Sequence, residues 1–293
     1  MIDRFNLLVL CICYKTIQTV RRFANAKVTS LAVFADDDLG LRMICFGEFE
    51  SEILSFLRER FELSTKSTQM IDVGANVGNH IHGLSKYFDF FHAFEPDPRN
   101  FQLLKANMAL RNNVCCHETA LSDKQGRAVL LTDNRNSGKS QIIKKNSQTA
   151  QTQNKNAIIV KTERLDNVIS DESKVGFIKI DVEGHELQVL KGASRILKQQ
   201  KPLILLEVLA QQIDGGHSPA LDFLKEFGYT NFQSLELETF QILRIDNLSH
   251  LRWINHIIYL LQLIIIGRQK LKPQTLDISN LKKKNYNSVL VSD

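Results

Sequence analysis

Ile71-Asp72-Val73-Gly74-Ala75-Asn76-Val77-Gly78, with Phe94-Glu95-Pro96-Asp97 following, carries the architecture of this chain. A short apolar run ends in a turn of small residues and leads into an amphipathic segment, and a second apolar run ends in one acid. A doubly wound α/β sheet builds a nucleoside pocket this way, at the carboxyl ends of its first two strands. Glycine suits the turn because it lacks Cβ and tolerates positive φ. Asn76 is the residue type most able to replace it there. The Glu95 carboxylate can accept hydrogen bonds from both hydroxyls of a ribose.

The turn also says which nucleoside. A dinucleotide fingerprint reads G-x-G-x-x-G and aims a helix N-terminus at a pyrophosphate. Here the middle glycine is replaced by Asn76, and Asp72 precedes the turn. A carboxylate in that place repels a pyrophosphate but suits a ligand carrying an ammonium and a sulfonium, which describes S-adenosyl-L-methionine. A nicotinamide-dependent oxidoreductase is therefore the weaker reading.

Around this turn the α/β rhythm starts near residue 68. Short apolar runs at 70–73, 90–94, 114–119, 177–180, 203–208 and 232–237 have the composition of buried parallel strands. Helical patterns at 77–87, 98–110, 187–198 and 219–227 alternate with them, and Pro98 fits the first turn of its helix. Two further short strands at 128–131 and 158–161 flank a polar stretch, 133–156, which reads as a surface loop. Gly138-Lys139-Ser140 is not a phosphate-binding P-loop, because Asp133 stands where its first glycine belongs. His185-Glu186 is not a zinc-protease motif, because Val189 occupies the second histidine position.

The second informative cluster is Phe177-Ile178-Lys179-Ile180-Asp181-Val182-Glu183-Gly184-His185-Glu186. Asp181 and Glu183 lie two residues apart at a strand end, His185 opens the next helix, and Glu207 ends the strand after it. All four fall on the rim where such sheets bind ligands. Asp181, Glu183 and His185 are the candidates for a catalytic base, and intrinsic pKa favours His185. The rival reading makes Glu183 or His185 a helix cap and Glu207 an ordinary ion-pair partner. No spacing demands a metal at Asp181, Glu183 and Glu207, and without a C-x-x-C pair no metal site is expected.

With these residues in order, the chain resembles the FkbM family of S-adenosylmethionine-dependent methyltransferases from about Thr68 to Val208. Ala120-Leu-Ser-Asp-Lys-Gln-Gly, Asn136-Ser-Gly and Leu165-Asp166 add to the likeness. The resemblance implies a class I methyltransferase, Rossmann-like sheet of seven strands with the last antiparallel, and Tyr286-Asn-Ser-Val-Leu-Val is similar to that last strand. It implies S-adenosyl-L-methionine as cofactor, with Asp72 and the turn Gly74, Ala75, Asn76 and Gly78 at the methionine and sulfonium, and Glu95 on the ribose. It sets Ser122 and Asp123 beside the adenine, and Asp181 with Glu183 toward the methyl group and acceptor. The acceptor it implies is a hydroxyl of a sugar, glycan or secondary metabolite. A non-catalytic nucleoside-binding protein on the same fold is the alternative.

Composition sets the rest. The chain has 293 residues, enough for one large α/β domain at 68–247, preceded by a helical cap segment at 1–67 and followed by a basic segment at 248–293. Five cysteines, an odd number, argue for reduced thiols and a cytoplasmic protein. The apolar run at 5–14 lacks the charge order and cleavage site of a secretory signal. Residues 248–293 hold seven Lys and Arg against two acids, while the remainder is balanced at 30 of each. That neutrality, with no aromatic-basic stripe, argues against nucleic acid. The apolar run at 253–266 is too short to span a bilayer. Trp253, Tyr259 and the flanking Arg and Lys suit a helix lying in a membrane interface at 252–272. A buried helix over the sheet edge or an oligomer contact fits the same residues, and the oligomeric state stays open.

Overall fold

A computed structural model describes residues 30–62, 68–133, 137–143, 156–237 and 271–293, with five isolated helical positions between 15 and 22. The apolar runs at 5–14 and 253–266 lie outside the described residues.

The strands are β1 (Gln69–Val73), β2 (Phe90–Phe94), β3 (Val114–His117), β4 (Ala120–Leu121), β5 (Gly126–Leu131), β6 (Gln141–Ile143), β7 (Ala157–Glu163), β8 (Val175–Ile180), β9 (Leu203–Val208), β10 (Asn231–Leu237), β11 (Leu271–Thr275) and β12 (Tyr286–Ser292). One sheet runs in the order β11-β10-β12-β9-β8-β1-β2-β3. β3, β2, β1, β8 and β9 are parallel, and β12 is inserted antiparallel between β9 and β10. The seven expected strands and their inverted last member are there. An eighth, β11, extends the edge by antiparallel pairing with β10, and its Pro273 withholds a ladder donor as edge strands permit.

Period-two alternation divides the core between the two faces of the sheet. Ile71, Val73, Ile178, Ile180, Ile204 and Leu206 enter one cluster with Val189, Leu190, Ile196, Leu197, Leu221 and Leu224. Those partners come from α6 (Glu186–Gly192), α7 (Ser194–Gln200) and α8 (Pro219–Glu226). Met70, Phe91, Ala93, Phe177 and Leu205 enter the other. There they meet Met43, Leu54, Leu57, Ile81, Leu84, Leu104 and Met108, from α1 (Asp38–Phe46), α2 (Ser51–Glu62), α3 (Asn79–Leu84) and α4 (Pro98–Met108). The described part of the segment before residue 68 thus supplies two helices to the core.

Several element boundaries differ from the sequence reading. The 187–198 helix is two helices, broken at Ala193, where the backbone leaves helical geometry at φ −106° and ψ 13°. Asp166, in the short helix α5 (Leu165–Val168), accepts from the backbone N–H groups of Arg195 and Ile196 at 2.9 and 3.2 Å, so it caps α7. The run at 114–119 stops at His117, and Ala120–Leu121 begins a second sheet, ordered β4-β7-β5-β6, which holds the two extra strands. The helix expected at 77–87 is confined to α3, and the 98–110 helix ends at Met108, with Asp97 Oδ1 accepting from the Arg99 N–H at 2.9 Å as its cap. Among the described residues no helix is long and apolar enough to cross a membrane.

Candidate functional site

A cavity of about 330 Å³ opens at the carboxyl ends of β1, β2, β8 and β9. Val73, Gly74, Ala75, Asn76, Glu95, Asp181, Val182, Glu183 and Glu207 line it. The second sheet closes one side with Leu121, Leu130 and Ile142, and Gly138, Lys139 and Ser140 add a polar edge. Asp38, Leu39, Arg42, Phe49 and Glu50 enter from the N-terminal segment.

The turn is held by its backbone. Gly74, Asn76 and Gly78 have φ of 77°, 49° and 89°, so all three are left-handed, as the sequence implied. Packing also requires glycine at 74 and 78. A Cβ on Gly74 would sit 1.9 Å from the Asp181 carbonyl oxygen, and one on Gly78 would meet Met108 Cε at 2.6 Å. These glycines let the turn pack against β8's end and against α4. Gly74 borders the cavity, whereas Gly78 lies behind it.

Glu95 is fixed by two main-chain donors. The Asn76 N–H donates to one carboxylate oxygen and the Asp97 N–H to the other, each at 2.9 Å. A carboxylate has about four acceptor directions, so each oxygen keeps one for a donor inside the cavity. Burial pushes this carboxyl up to about 7, against the pull of the two N–H groups. A pair of vicinal hydroxyls is the kind of donor that completes such a group.

Beneath the turn lies a buried charge cluster set by strand register. Asp72 pairs opposite Lys179 in the β1–β8 ladder, on the face that also carries Met70 and Phe177. Lys179 Nζ donates to the Gly74 carbonyl at 3.0 Å and stands 3.4 Å from both Asp72 Oδ1 and Asp181 Oδ2. Asp72 is fully buried, and neither of its carboxylate oxygens has a hydrogen-bond partner of good geometry. Burial disfavours the Lys179 ammonium, yet Asp72, Asp181 and Glu50 outweigh it and raise its pKa. Glu50 Oε2 lies 3.2 Å from His80 Nε2. Burial would raise Glu50, but His80 and Lys179 together hold it below the usual carboxylate range.

On the far rim, Asp181, Glu183 and Glu207 share the cavity wall. Burial, with Asp181 and Glu183 next, pushes Glu207 up to about 8. Glu183 is also raised, by burial and then by Asp181, and its backbone is left-handed at φ 51°. Glu186 is fully buried behind them, accepting from the Gly184 N–H at 3.0 Å and from Gln212 Nε2 at 2.6 Å. Three acids face one space, and Glu207 among them keeps its proton at neutral pH more readily than an ordinary carboxyl does.

The sequence-picked residues thus separate into groups. Gly74, Ala75, Asn76, Glu95, Asp181 and Glu183 border one cavity. Asp72 acts from beneath it through Lys179. His185 does not border it: its Nε2 lies 2.9 Å from Ser122 Oγ, which also donates to Asp123 Oδ1 at 3.2 Å. His185, Ser122 and Asp123 form a polar group between β4 and the start of α6, where Arg164 Nη1 also donates to the Asp123 carbonyl at 2.8 Å. Lys179, Glu50, His80, Arg42 and Lys139 were not singled out from sequence. Lys179 had a signal, since it alternates with Asp181 in the same quoted strand. Glu50 and Arg42 had none, being brought in by packing alone.

This strand order, with β12 inverted between β9 and β10 and acids at the carboxyl ends of β2 and β9, defines a class I methyltransferase fold. The chain belongs to the FkbM methyltransferase family: the Methyltransferase FkbM domain matches residues 72–230. Hexuronic acid methyltransferase AglP of Haloferax volcanii is 28% identical over 169 residues, which are 55% of this chain and 63% of that protein. The chain thus matches less than two thirds of that relative's length. Methyltransferase FkbM from Methylobacillus flagellatus KT is 22% identical, with a TM-score of 0.38, over 66% of this chain and 48% of that one. The putative methyltransferase SMU.1697c from Streptococcus mutans, in complex with SAH, is 11% identical with a TM-score of 0.39, over 82% and 97% of the two chains.

Proposed function

We propose that this protein is an S-adenosyl-L-methionine-dependent O-methyltransferase acting on a hydroxyl of a sugar or glycan. The observation that carries the reading is Glu95, buried at the end of β2 with both oxygens pinned by backbone N–H groups and one acceptor direction left on each. Membership of the FkbM family supports the chemistry.

The residues present fit the cofactor. Glu95 accepts from the two ribose hydroxyls, and Phe94, Leu121, Leu130 and Ile142 offer apolar contact to a base. Asp72, Asp181 and Glu50 outnumber the Lys179 ammonium beside the turn, which suits a ligand with an ammonium and a sulfonium. The cofactor would supply a methyl group already activated by sulfonium. Positioning then provides much of the rate enhancement. The protein's remaining task is the acceptor's proton, worth about 10²–10⁴-fold to a positioned base.

Glu207 is the base we favour. It borders the cavity and, at about 8, its pKa lies near the working range where proton transfer is efficient. Asp181 and Glu183 beside it keep it high and orient the acceptor. His185, bonded to Ser122, positions the β4 end rather than taking the proton. Arg42 and Lys139 are cations on the same cavity and suit an acceptor with a negative group, such as the acidic sugar that the name of the Haloferax volcanii relative specifies for that protein.

Labelled methyl transfer to a panel of neutral and uronic-acid-bearing glycosides tests this directly. Incorporation that favours the acidic sugars and falls in Arg42→Ala supports the reading. S-adenosylhomocysteine binding without transfer to any hydroxyl leaves a nucleoside-binding protein, and no binding at all overturns the cofactor assignment.

A further inference from the structure

We infer that His92, Cys115 and His117 form a zinc-binding site on the β2–β3 edge, separate from the methyl-transfer cavity. The three come together through strand register. His92 pairs with Cys115 in the parallel ladder, and His117 stands two residues beyond Cys115, so all three side chains leave the same face of the sheet. Phe91, Ala93 and Cys116 leave the other face and pack into the core beside Leu104 and Met108. Cys116 is thereby turned away from the cluster that its neighbour joins.

The geometry suits a tetrahedral ion. One ligand atom from each of the three residues lies within 4.8 Å of the others. His92 Nδ1 and His117 Nε2 are 3.1 Å apart. Two imidazole nitrogens bound to zinc at about 2.0–2.1 Å stand about 3.3 Å apart along a tetrahedral edge. That is within a few tenths of an ångström of the spacing the fold already holds. The rings are also preset, nearly parallel at 18° with centroids 5.4 Å apart, and His117 lies flat against Phe94 at 4.4 Å and 9°. The donors are two imidazoles and a thiol with no carboxylate, a set that selects zinc over calcium or magnesium. All three residues are half-buried, so an ion can reach them, and the fourth position is left for water or an outside ligand.

None of the three borders the cavity, though Phe94 does, and the Glu95 N–H donates to the His117 carbonyl at 3.1 Å. The metal-free alternative is a hydrogen bond between two neutral imidazoles, with Cys115 a bystander. Binding consists of ligand exchange at the ion with release of the thiol proton, and it needs no other reactant.

The test uses the full chain stripped of metal by a chelator and titrated with cobalt(II) as a spectroscopic probe. One equivalent of cobalt giving a thiolate-to-cobalt charge-transfer band, displaced by zinc, is the expected result. The band is lost in Cys115→Ser, in His92→Gln and in His117→Gln, and kept in Cys116→Ser. Should a variant fail to fold, the wild type suffices: zinc slows alkylation of Cys115 by iodoacetamide at least tenfold and leaves Cys116 unchanged, resolved by peptide fragmentation. No cobalt binding, a band that survives Cys115→Ser, or alkylation indifferent to zinc would overturn the proposal. Because the readout is metal binding, its failure is independent of whether methyl transfer is found.

Discussion

Replacing Glu95 with alanine removes a carboxylate that sits 4% exposed at the end of β2 and holds one acceptor direction open on each oxygen. A hydrogen bond to a charged group contributes about 1.5–3 kcal/mol, so two of them come to about 3–6 kcal/mol, or roughly 10²–10⁴ in dissociation constant. Isothermal titration calorimetry with S-adenosylhomocysteine measures this. The wild type carries a second, independent signature. Its Glu95 carboxyl titrates at about 7 in the ligand-free protein, raised by burial, and only the ionised form accepts from both hydroxyls. The ionised fraction rises from about one tenth at pH 6 to about nine tenths at pH 8, so affinity should rise about tenfold across that range. Binding near neutral pH should also release a proton, making the apparent enthalpy depend on the buffer. Glu95→Ala should be weak and pH-independent over the same range. An alanine variant within threefold of wild type, or one that keeps the pH slope, would refute the reasoning.

Other expectations follow from the same geometry. Glu207→Gln should lower kcat by about 10²-fold or more and abolish a rise in rate with pH centred near 8, because the base acts only when ionised; stopped-time transfer assays across pH check it. His185→Gln should keep kcat within about tenfold of wild type, since His185 reaches Ser122 and not the cavity, and loss of the rise in rate with pH in this variant instead would return the base role to His185. Lys179→Met should destabilise the fold by about 3–5 kcal/mol in urea unfolding, because it strands the buried Asp72 carboxylate. A loss under 1 kcal/mol would refute the pairing of Lys179 with Asp72 as a stabilising contact.

What could be read from sequence was what lies within one strand and its following turn. The β1 turn, Glu95 and the Asp181–Glu183 pair are each local, and a single periodicity sets their direction. Lys179 was in plain view but unassigned, because its meaning depends on Asp72 standing opposite it in a ladder between residues 107 positions apart. The His92, Cys115 and His117 group was hidden for the same reason: His92 lies on another strand and meets Cys115 only through the β2–β3 ladder. Glu50 and Arg42 depend on how α1 and α2 dock, which no local pattern records. The direction of His185 was not legible, because intrinsic pKa says nothing about where a ring points, and its Nε2 lies 2.9 Å from Ser122 Oγ. The single helix read at 187–198 failed at Ala193, where a tertiary constraint overrode a continuous helical pattern: a Cβ on Gly192 would lie 2.1 Å from the Ser122 carbonyl.

The placement of β12 has a kinetic consequence. Residues 286–292 are hydrogen-bonded on both sides, to β9 and to β10, although β10 ends about fifty residues earlier. A chain that has made β9 and β10 but not β12 lacks the strand through which β10 joins β9, and the β9 edge is without its partner. Until β12 arrives, that β9 edge is open to a strand from a neighbouring nascent chain. The last strand in sequence thus fills an interior place in the sheet, and a peptide matching residues 286–292 should compete for the β9 edge in refolding and leave the finished fold untouched.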